Sequence, residues 1–405
     1  MPIIMPNRRK KVFLIGVGPG NLQLLTAESW EILSGVSSVY GTDRLCALCC
    51  ALRPDAVSVP VGELVDKALA DENRSVGILL SGDAGFFSAA KRLSAALKEQ
   101  CDVEICCGIS SFQYFLAKLG RSYEGVKFVS LHGRGGSILG AVSYHPEVFV
   151  LTGGKQKAHD VCRELSEQGL SQIQVYAGEN LSMADERIVS GTAEELSKEQ
   201  FSDLTVLYIE NPVYVNAHLS LRDDDIIRGS VPMTKEEVRI LSAAKLRVNP
   251  GDIVWDVGAG TGSMSLELAR KACDGTVYAV EHHEEAIELI RQNRQNLGAF
   301  NVVPILGDAP DCLRGLPAPD KVFVGGTGGK LREILSLLFE RNPQVRVVLN
   351  AVTLETTAAA ISVLQELRCE AEIVTVNVSR AKKAGANHLM EAHNPVTVIT
   401  AEKAR

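Results

Sequence analysis

Short apolar, β-branched runs alternate along the chain with stretches whose apolar residues return every three or four positions. In the first half such runs fall at Val12–Ile15, Val76–Leu80, Asp102–Cys106, Val148–Leu151, Gln174–Tyr176 and Thr205–Ile209. In the second half they fall at Ile253–Asp256, Val277–Val280, Val302–Leu306, Lys321–Val324, Arg346–Asn350, Ala371–Val378 and Val396–Thr400. Strand-length runs separated by helix-period segments predict α/β layers. The alternation breaks at "SLRDDDIIRGSVPMTKEEVR", with an acidic triplet Asp223–Asp225, then Gly229 and Pro232. This break predicts a solvated linker, with Thr234 as N-cap of the next helix and Glu237 completing a capping box. The chain is therefore expected to form two domains, over 9–216 and 222–405.

Bulk composition narrows what those domains do. A chain of 405 residues is too long for one ordinary core. With 46% hydrophobic and 22% charged residues it has the profile of a folded protein. A net charge of −7 argues against sequence-independent nucleic-acid binding, which needs a basic surface. No apolar run approaches the roughly 18 residues of a membrane span, so a cytoplasmic enzyme is expected. The ten cysteines are scattered through apolar segments. Cys46, Cys49 and Cys50 in "CALCC" lack the second pair or histidine that a zinc or redox site needs, so they read as packing residues and no metal is expected.

The candidate chemistry lies in loops that follow the strands. "DVGAGTG" runs from Asp256 through Gly258, Ala259, Gly260, Thr261 and Gly262 directly after an apolar strand. The glycine spacing resembles a dinucleotide fingerprint, but Ser263 stands where its final glycine belongs. Asp256 would repel a pyrophosphate and attract a ligand bearing an ammonium and a sulfonium, as S-adenosylmethionine does. Glu281, at the end of the next strand, is placed to accept ribose hydroxyls. After the third strand, Gly307, Asp308 and Ala309 form a turn whose carboxylate or backbone can meet the adenine edge. Asn350, Thr353 and Glu355 follow a further strand and either position substrate or cap the helix beginning near Leu354.

The amino-terminal loops differ. Gly18, Pro19 and Gly20 in "GVGPG" lack one backbone donor and form a stiff turn, poorly suited to cradling phosphate. Gly82, Asp83 and Ala84 follow a second apolar strand, and Ser110 and Ser111 follow a third. These three turns are expected to converge at one sheet edge.

In "VGPG", "SGDAGFFS", "GISSFQ", "SLHGR" and "GENLS", in this order, the first half resembles the tetrapyrrole methylase family. The second half runs from "PMTKEEVRILSAAKLRV" through "WDVGAGTGS", "GDAP", "FVGGTGG" and "NAVTLET" to "VSRAKKAG". It resembles the decarboxylating precorrin methyltransferases. The resemblance implies a tetrapyrrole methylase-type α/β domain followed by a Rossmann-like S-adenosylmethionine-dependent methyltransferase domain, with one S-adenosylmethionine per domain. It implies a precorrin-6-type tetrapyrrole substrate in cobalamin biosynthesis, methylated at C5 by the first domain. The second domain would methylate C15 and remove the C12 acetate carboxyl, in a homo-oligomer. Phe86, Leu181 and Thr234 join the implied cofactor contacts. His132, Arg134, Arg380, Lys382 and Lys383 are candidate anchors for substrate carboxylates, unless they are solvated surface cations. Ala84 stands where many family members carry proline, which implies a less rigid turn. Two other readings remain open: a methyltransferase for another anionic tetrapyrrole or aromatic substrate, and a sensor that binds an adenosyl ligand without turnover.

Overall fold

The computed structural model describes residues 9–133 and 136–403. The chain divides into two compact units. One contains the chain up to 135 with Phe149–Glu164 and Gln172–Ile209; the other contains Gly136–Val148, Leu165–Ser171 and the chain from Glu210 onward.

The first unit holds a parallel five-stranded sheet of β1 (Lys10–Gly16), β2 (Ser38–Gly41), β3 (Val57–Ser58), β4 (Ser75–Leu80) and β5 (Cys101–Cys106), in the order β3-β2-β4-β1-β5. β1 and β4 are buried along most of their length, with apolar clusters around Leu14 and Ile78 and around Ile15 and Leu79, as parallel strands covered on both faces require. A second sheet joins β6 (Lys127–Ser130), β7 (Glu147–Leu151), β8 (Gln174–Glu179), β9 (Arg187–Thr192) and β10 (Thr205–Glu210), in the order β6-β7-β10-β8-β9.

The second unit is built on β11 (Ile253–Val257), β12 (Thr276–Glu281), β13 (Val302–Leu306), β14 (Lys321–Val324), β15 (Arg346–Ala351), β16 (Cys369–Val376) and, beyond the hairpin of β17 (Ser379–Ala384) and β18 (Asn387–Ala392), β19 (Val396–Lys403). Its seven-stranded sheet has the order β13-β12-β11-β14-β15-β19-β16. The first five strands of that order are parallel, and β19 runs antiparallel between β15 and β16. The order reverses between β11 and β14, and a crevice opens beyond the carboxyl ends of strands at such a reversal. Among the described residues no helix is long and apolar enough to cross a membrane.

Every strand expected from the pattern is present, although the run expected over 371–378 forms Cys369–Val376. β2, β3, β6, β9 and the β17–β18 hairpin were not expected. The hairpin strands "SRAKKA" and "NHLMEA" are almost wholly exposed, so no buried face imposes a period of two.

The break between the halves is solvated only in part: Asp224, Asp225 and Arg228 to Ser230 are exposed, but Asp223 is not. Asp223 is 12% exposed and lies against Arg239, whose side chain is fully buried. The Arg239 guanidinium donates to Asp223 at 3.2 Å, to the Thr234 carbonyl at 2.9 Å and to the Leu221 carbonyl, with Glu267 at 3.8 Å. The helix Glu236–Leu246 is capped at Lys235 without a side-chain bond, not at Thr234. Glu237 does not close a capping box either, because its carboxylate takes a two-pronged bond from Arg380 at 2.9 and 2.6 Å. A charge-assisted fork outcompetes a single capping bond. Removing the buried cation leaves buried Glu267 without its ion partner, while Asp223 keeps Arg380, so Arg239→Met is expected to cost about 3 kcal/mol. Urea unfolding followed through buried Trp255 in a Trp30→Phe background measures this, and an unchanged midpoint would refute it.

Candidate active sites

In the first unit the three turns follow three adjacent parallel strands, since β1 lies between β4 and β5. They meet as expected. Gly18 and Gly82 exchange backbone bonds at 3.2 and 2.9 Å. A Cβ on Gly108 would lie 2.4 Å from the Gly82 carbonyl oxygen, so only glycine permits the second and third turns to touch. Asp83 fastens them: one carboxylate oxygen accepts from Gly108 N–H at 3.0 Å and the other from Gly85 N–H at 2.8 Å. Ser110 caps the helix Ser111–Leu119 in a box with Gln113. Ala84 and Leu181 are buried, and a Cβ on Gly20 would meet the Leu181 carbonyl at 2.9 Å. Pro19 lies between Gly18 and Gly20 and is half-buried. Phe86 packs its ring on Phe112 and Phe128. His132 is exposed on the turn after β6, and Arg134 lies outside the described residues.

In the second unit a cavity of about 860 Å³ opens beyond the carboxyl ends of β11 to β15. Its wall includes the expected Gly258, Ala259, Gly260, Glu281, Gly307, Asp308, Ala309, Asn350 and Thr234. The Gly258 and Ala259 N–H groups both donate to the Val280 carbonyl at 3.0 Å, which curls the loop over the second strand. Glu281 is almost buried; it accepts from Gly260 N–H at 2.9 Å and from the His282 and His283 N–H groups at 2.8 and 3.2 Å. A Cβ on Gly258 would lie 2.6 Å from Gly326 N, so the loops after β11 and β14 touch through bare backbone.

Asp256, Thr261, Gly262, Thr353, Glu355 and Arg380 are not in the cavity wall. Asp256 was expected to face the ligand's positive charge; instead its carboxyl is fully buried beneath the loop and bonded to Ser265 Oγ, with Oδ1 unpartnered. Burial pushes its pKa up to about 7, with the Ser265 bond opposing and Glu281 adding repulsion. Thr261 is fully buried, and Gly262 caps the helix Ser263–Lys271. Thr353 caps the helix Leu354–Glu366 by accepting from Thr356 N–H at 3.1 Å, and Glu355 sits exposed in its first turn. Arg380 is held by Asp223 and Glu237, whereas Lys382 faces Glu391 at 3.6 Å across the hairpin.

The sequence reading assigned no site role to the run Gly325–Gly328 with Lys330, the pair His282–His283, or His393 with Asn394, all of which line the cavity. "VGGTGGK" had the same signal as the first loop: an apolar strand running into glycines. Glu281, His282 and His283 also offer ligand atoms within 4.8 Å of one another, a spacing that one cation can bridge.

A mostly parallel sheet with a strand-order reversal, a glycine loop beside a buried acid and a cavity over five strand ends define an open α/β domain of the class whose ligands bind beyond the strand ends. The chain belongs to the precorrin methyltransferases: residues 226–403 match the precorrin methyltransferase domain and residues 11–197 the tetrapyrrole (corrin/porphyrin) methylases. A probable cobalt-precorrin-6B C(15)-methyltransferase (decarboxylating) from Pyrobaculum calidifontis is 43% identical over 42% of this chain and 89% of its own length. Among solved structures, a precorrin-6Y C5,15-methyltransferase from Geobacter metallireducens is 37% identical, covering 46% of this chain and 97% of that one with a TM-score of 0.44. A uroporphyrin-III C-methyl transferase from Thermus thermophilus, complexed with S-adenyl homocysteine, is 24% identical over 49% of this chain and 92% of that one, with a TM-score of 0.43.

Proposed function

We propose that the chain methylates a precorrin-6-type tetrapyrrole at two carbons in cobalamin biosynthesis, using one S-adenosylmethionine in each of two catalytic domains over 9–216 and 222–405. The first domain methylates C5; the second methylates C15 and removes the carboxyl of the C12 acetate. The observation that carries this reading is the presence of two separate sets of glycine turns, each at the carboxyl ends of adjacent parallel strands and each in its own compact unit.

The residues of the second cavity fit the cofactor. Gly258 and Gly260 place loop backbone at the cavity wall, Glu281 supplies a carboxylate for ribose hydroxyls, and Asp308 sits at the third strand end. Asn350 accepts from Ser242 Oγ at 3.0 Å, which leaves its amide nitrogen as a buried donor without a partner at the cavity wall. When bound, the cofactor supplies an electrophilic methyl group. The protein needs no nucleophile of its own, because the macrocycle's electron-rich carbon is the attacking atom. Its work is to align the two reactants and exclude water, for which the closed glycine turns and apolar Val257 and Val280 are suited. Lys235 and Lys330 at the wall supply the positive charge that a polycarboxylate requires.

Incubating the purified chain with S-adenosylmethionine and a precorrin-6-type pigment tests the proposal. The expected product gains two methyl groups and loses one carbon dioxide by mass. Cofactor binding with no change in pigment mass would instead establish a sensor.

A further inference from the structure

Among the described residues, five that are not glycine have left-handed backbone: Phe87, Asn180, Ser182, Arg247 and Arg368. Arg247 caps the helix Glu236–Leu246, and Arg368 follows the cap of Leu354–Glu366; this conformation is ordinary at helix ends. The other three border the turns of the first unit. Asn180 and Ser182 flank Leu181, whose carbonyl approaches Gly20. Phe87 follows the Gly82–Gly85 turn with a φ of 45° and is 54% exposed.

Phe87 therefore carries two costs. Its Cβ is crowded by a backbone that glycine would adopt freely, and its phenyl ring is left in water. Such strain persists where the surroundings over-determine it, and it clusters at ligand sites. The ring is also the outer end of a row. Its centroid lies 4.9 Å from that of Phe86, Phe86 lies 4.6 Å from Phe112, and Phe112 lies 5.3 Å from Tyr123. The two middle rings are half-buried, while Phe87 and Tyr123 stay open to solvent. Phe86 and Phe112 each follow one of the converging turns, so the row is fixed to the turns themselves.

We propose that Phe87 and Tyr123 form the platform on which the first unit holds the tetrapyrrole while C5 is methylated. The substrate is a large, flat, partly conjugated ring with carboxylates on its rim. Its faces seek aromatic contact, and its rim stays in water. The open ends of the row offer such contact beside the cofactor turns. The edge contact with Phe86 at 4.9 Å restrains the Phe87 ring, so less side-chain freedom is lost when the macrocycle arrives. This inference rests on the C5-methylation reading.

The test uses the full chain, a precorrin-6-type pigment and two variants, Phe87→Ala and Phe87→Gly. Both should raise the pigment KM for C5 methylation about tenfold, the loss expected for one aromatic stacking contact with its buried area. S-adenosylmethionine affinity by calorimetry and methylation at C15 should not change. Phe87→Gly, which accepts the backbone without strain, should melt no lower than Phe87→Ala. Wild-type KM in both variants would overturn the proposal, as would a parallel fall in cofactor affinity, because the ring would then serve the cofactor. A wild-type chain that adds no C5 methyl yet binds pigment more tightly than both variants, read by absorbance titration, would sink the functional reading and leave the platform standing. If the wild type neither methylates nor binds the pigment, both fall.

Discussion

Gly258→Ala should cut methylation at C15 and loss of carbon dioxide by about a hundredfold, because displacing a reacting group by about an ångström costs that much. The new Cβ would lie 2.6 Å from Gly326 N and 2.8 Å from Gly326 Cα and O, on a backbone with φ of 74°. Backbone cannot rotate away as a side chain tip can, so the loops after β11 and β14 must part and the cavity mouth must deform. The matching change in the first unit is Gly108→Ala, whose Cβ would lie 2.4 Å from the Gly82 carbonyl oxygen and 2.7 Å from that of Gly16. It should suppress C5 methylation by a similar factor and leave the second unit active on any pigment it accepts. Gly315→Ala, which meets nothing within 4 Å, is the control and should be silent. Mass spectrometry of the pigment reads all three, and circular dichroism verifies folding. Decarboxylation that survives Gly258→Ala and vanishes in Gly108→Ala would reverse the roles given to the units.

These glycines show what the chain made legible and what it did not. The turns were visible because apolar runs pass directly into glycine, and their convergence followed from parallel strands lying side by side. Glu281 was visible because a second-strand acid about 20 residues after a glycine loop has a known place in this architecture. Which glycine is irreplaceable was not legible. Gly18 meets nothing nearer than 3.5 Å, while Gly108, which opens the expected third turn, is the most crowded of the three turns. Arg239 was hidden for a related reason. One arginine in a helix looks like a surface cation until Leu221, Asp223 and Thr234 are brought to it by tertiary packing. The exposed hairpin at Ser379–Ala392 gave no periodic signal, so the cavity residues that follow it, His393 and Asn394, went unread.

Asp256 was singled out as a ligand contact, and the structure turns its side chain away from the cavity. Strand alternation puts its side chain with Val254 on the face covered by the helix Ser263–Lys271, where Ser265 meets it, rather than at the open strand end. A carboxyl there holds its proton up to about pH 7 because ionising it in the core is costly. The consequence for stability has a definite sign. In the unfolded chain Asp256 ionises near its ordinary value of 3.8, and in the folded chain only near 7. Its favourable contribution is therefore complete below about pH 4 and is lost as pH rises to 7 and beyond. A difference of about three units corresponds to roughly 4 kcal/mol. Asp256→Asn removes this titration while keeping size and a group that can bond Ser265. Other carboxylates, such as Glu237 and Glu179, are shifted downward by arginine partners and tilt the whole-protein profile the other way. The quantity to measure is thus the difference between variant and wild type, from urea unfolding at pH 4, 6 and 8 with Trp255 as probe. Asp256→Asn should gain on the wild type steadily between pH 4 and 7 and hold a constant advantage above it. A difference that stays flat across that range would mean the carboxyl is already ionised in the folded protein, and the buried proton would have to be abandoned.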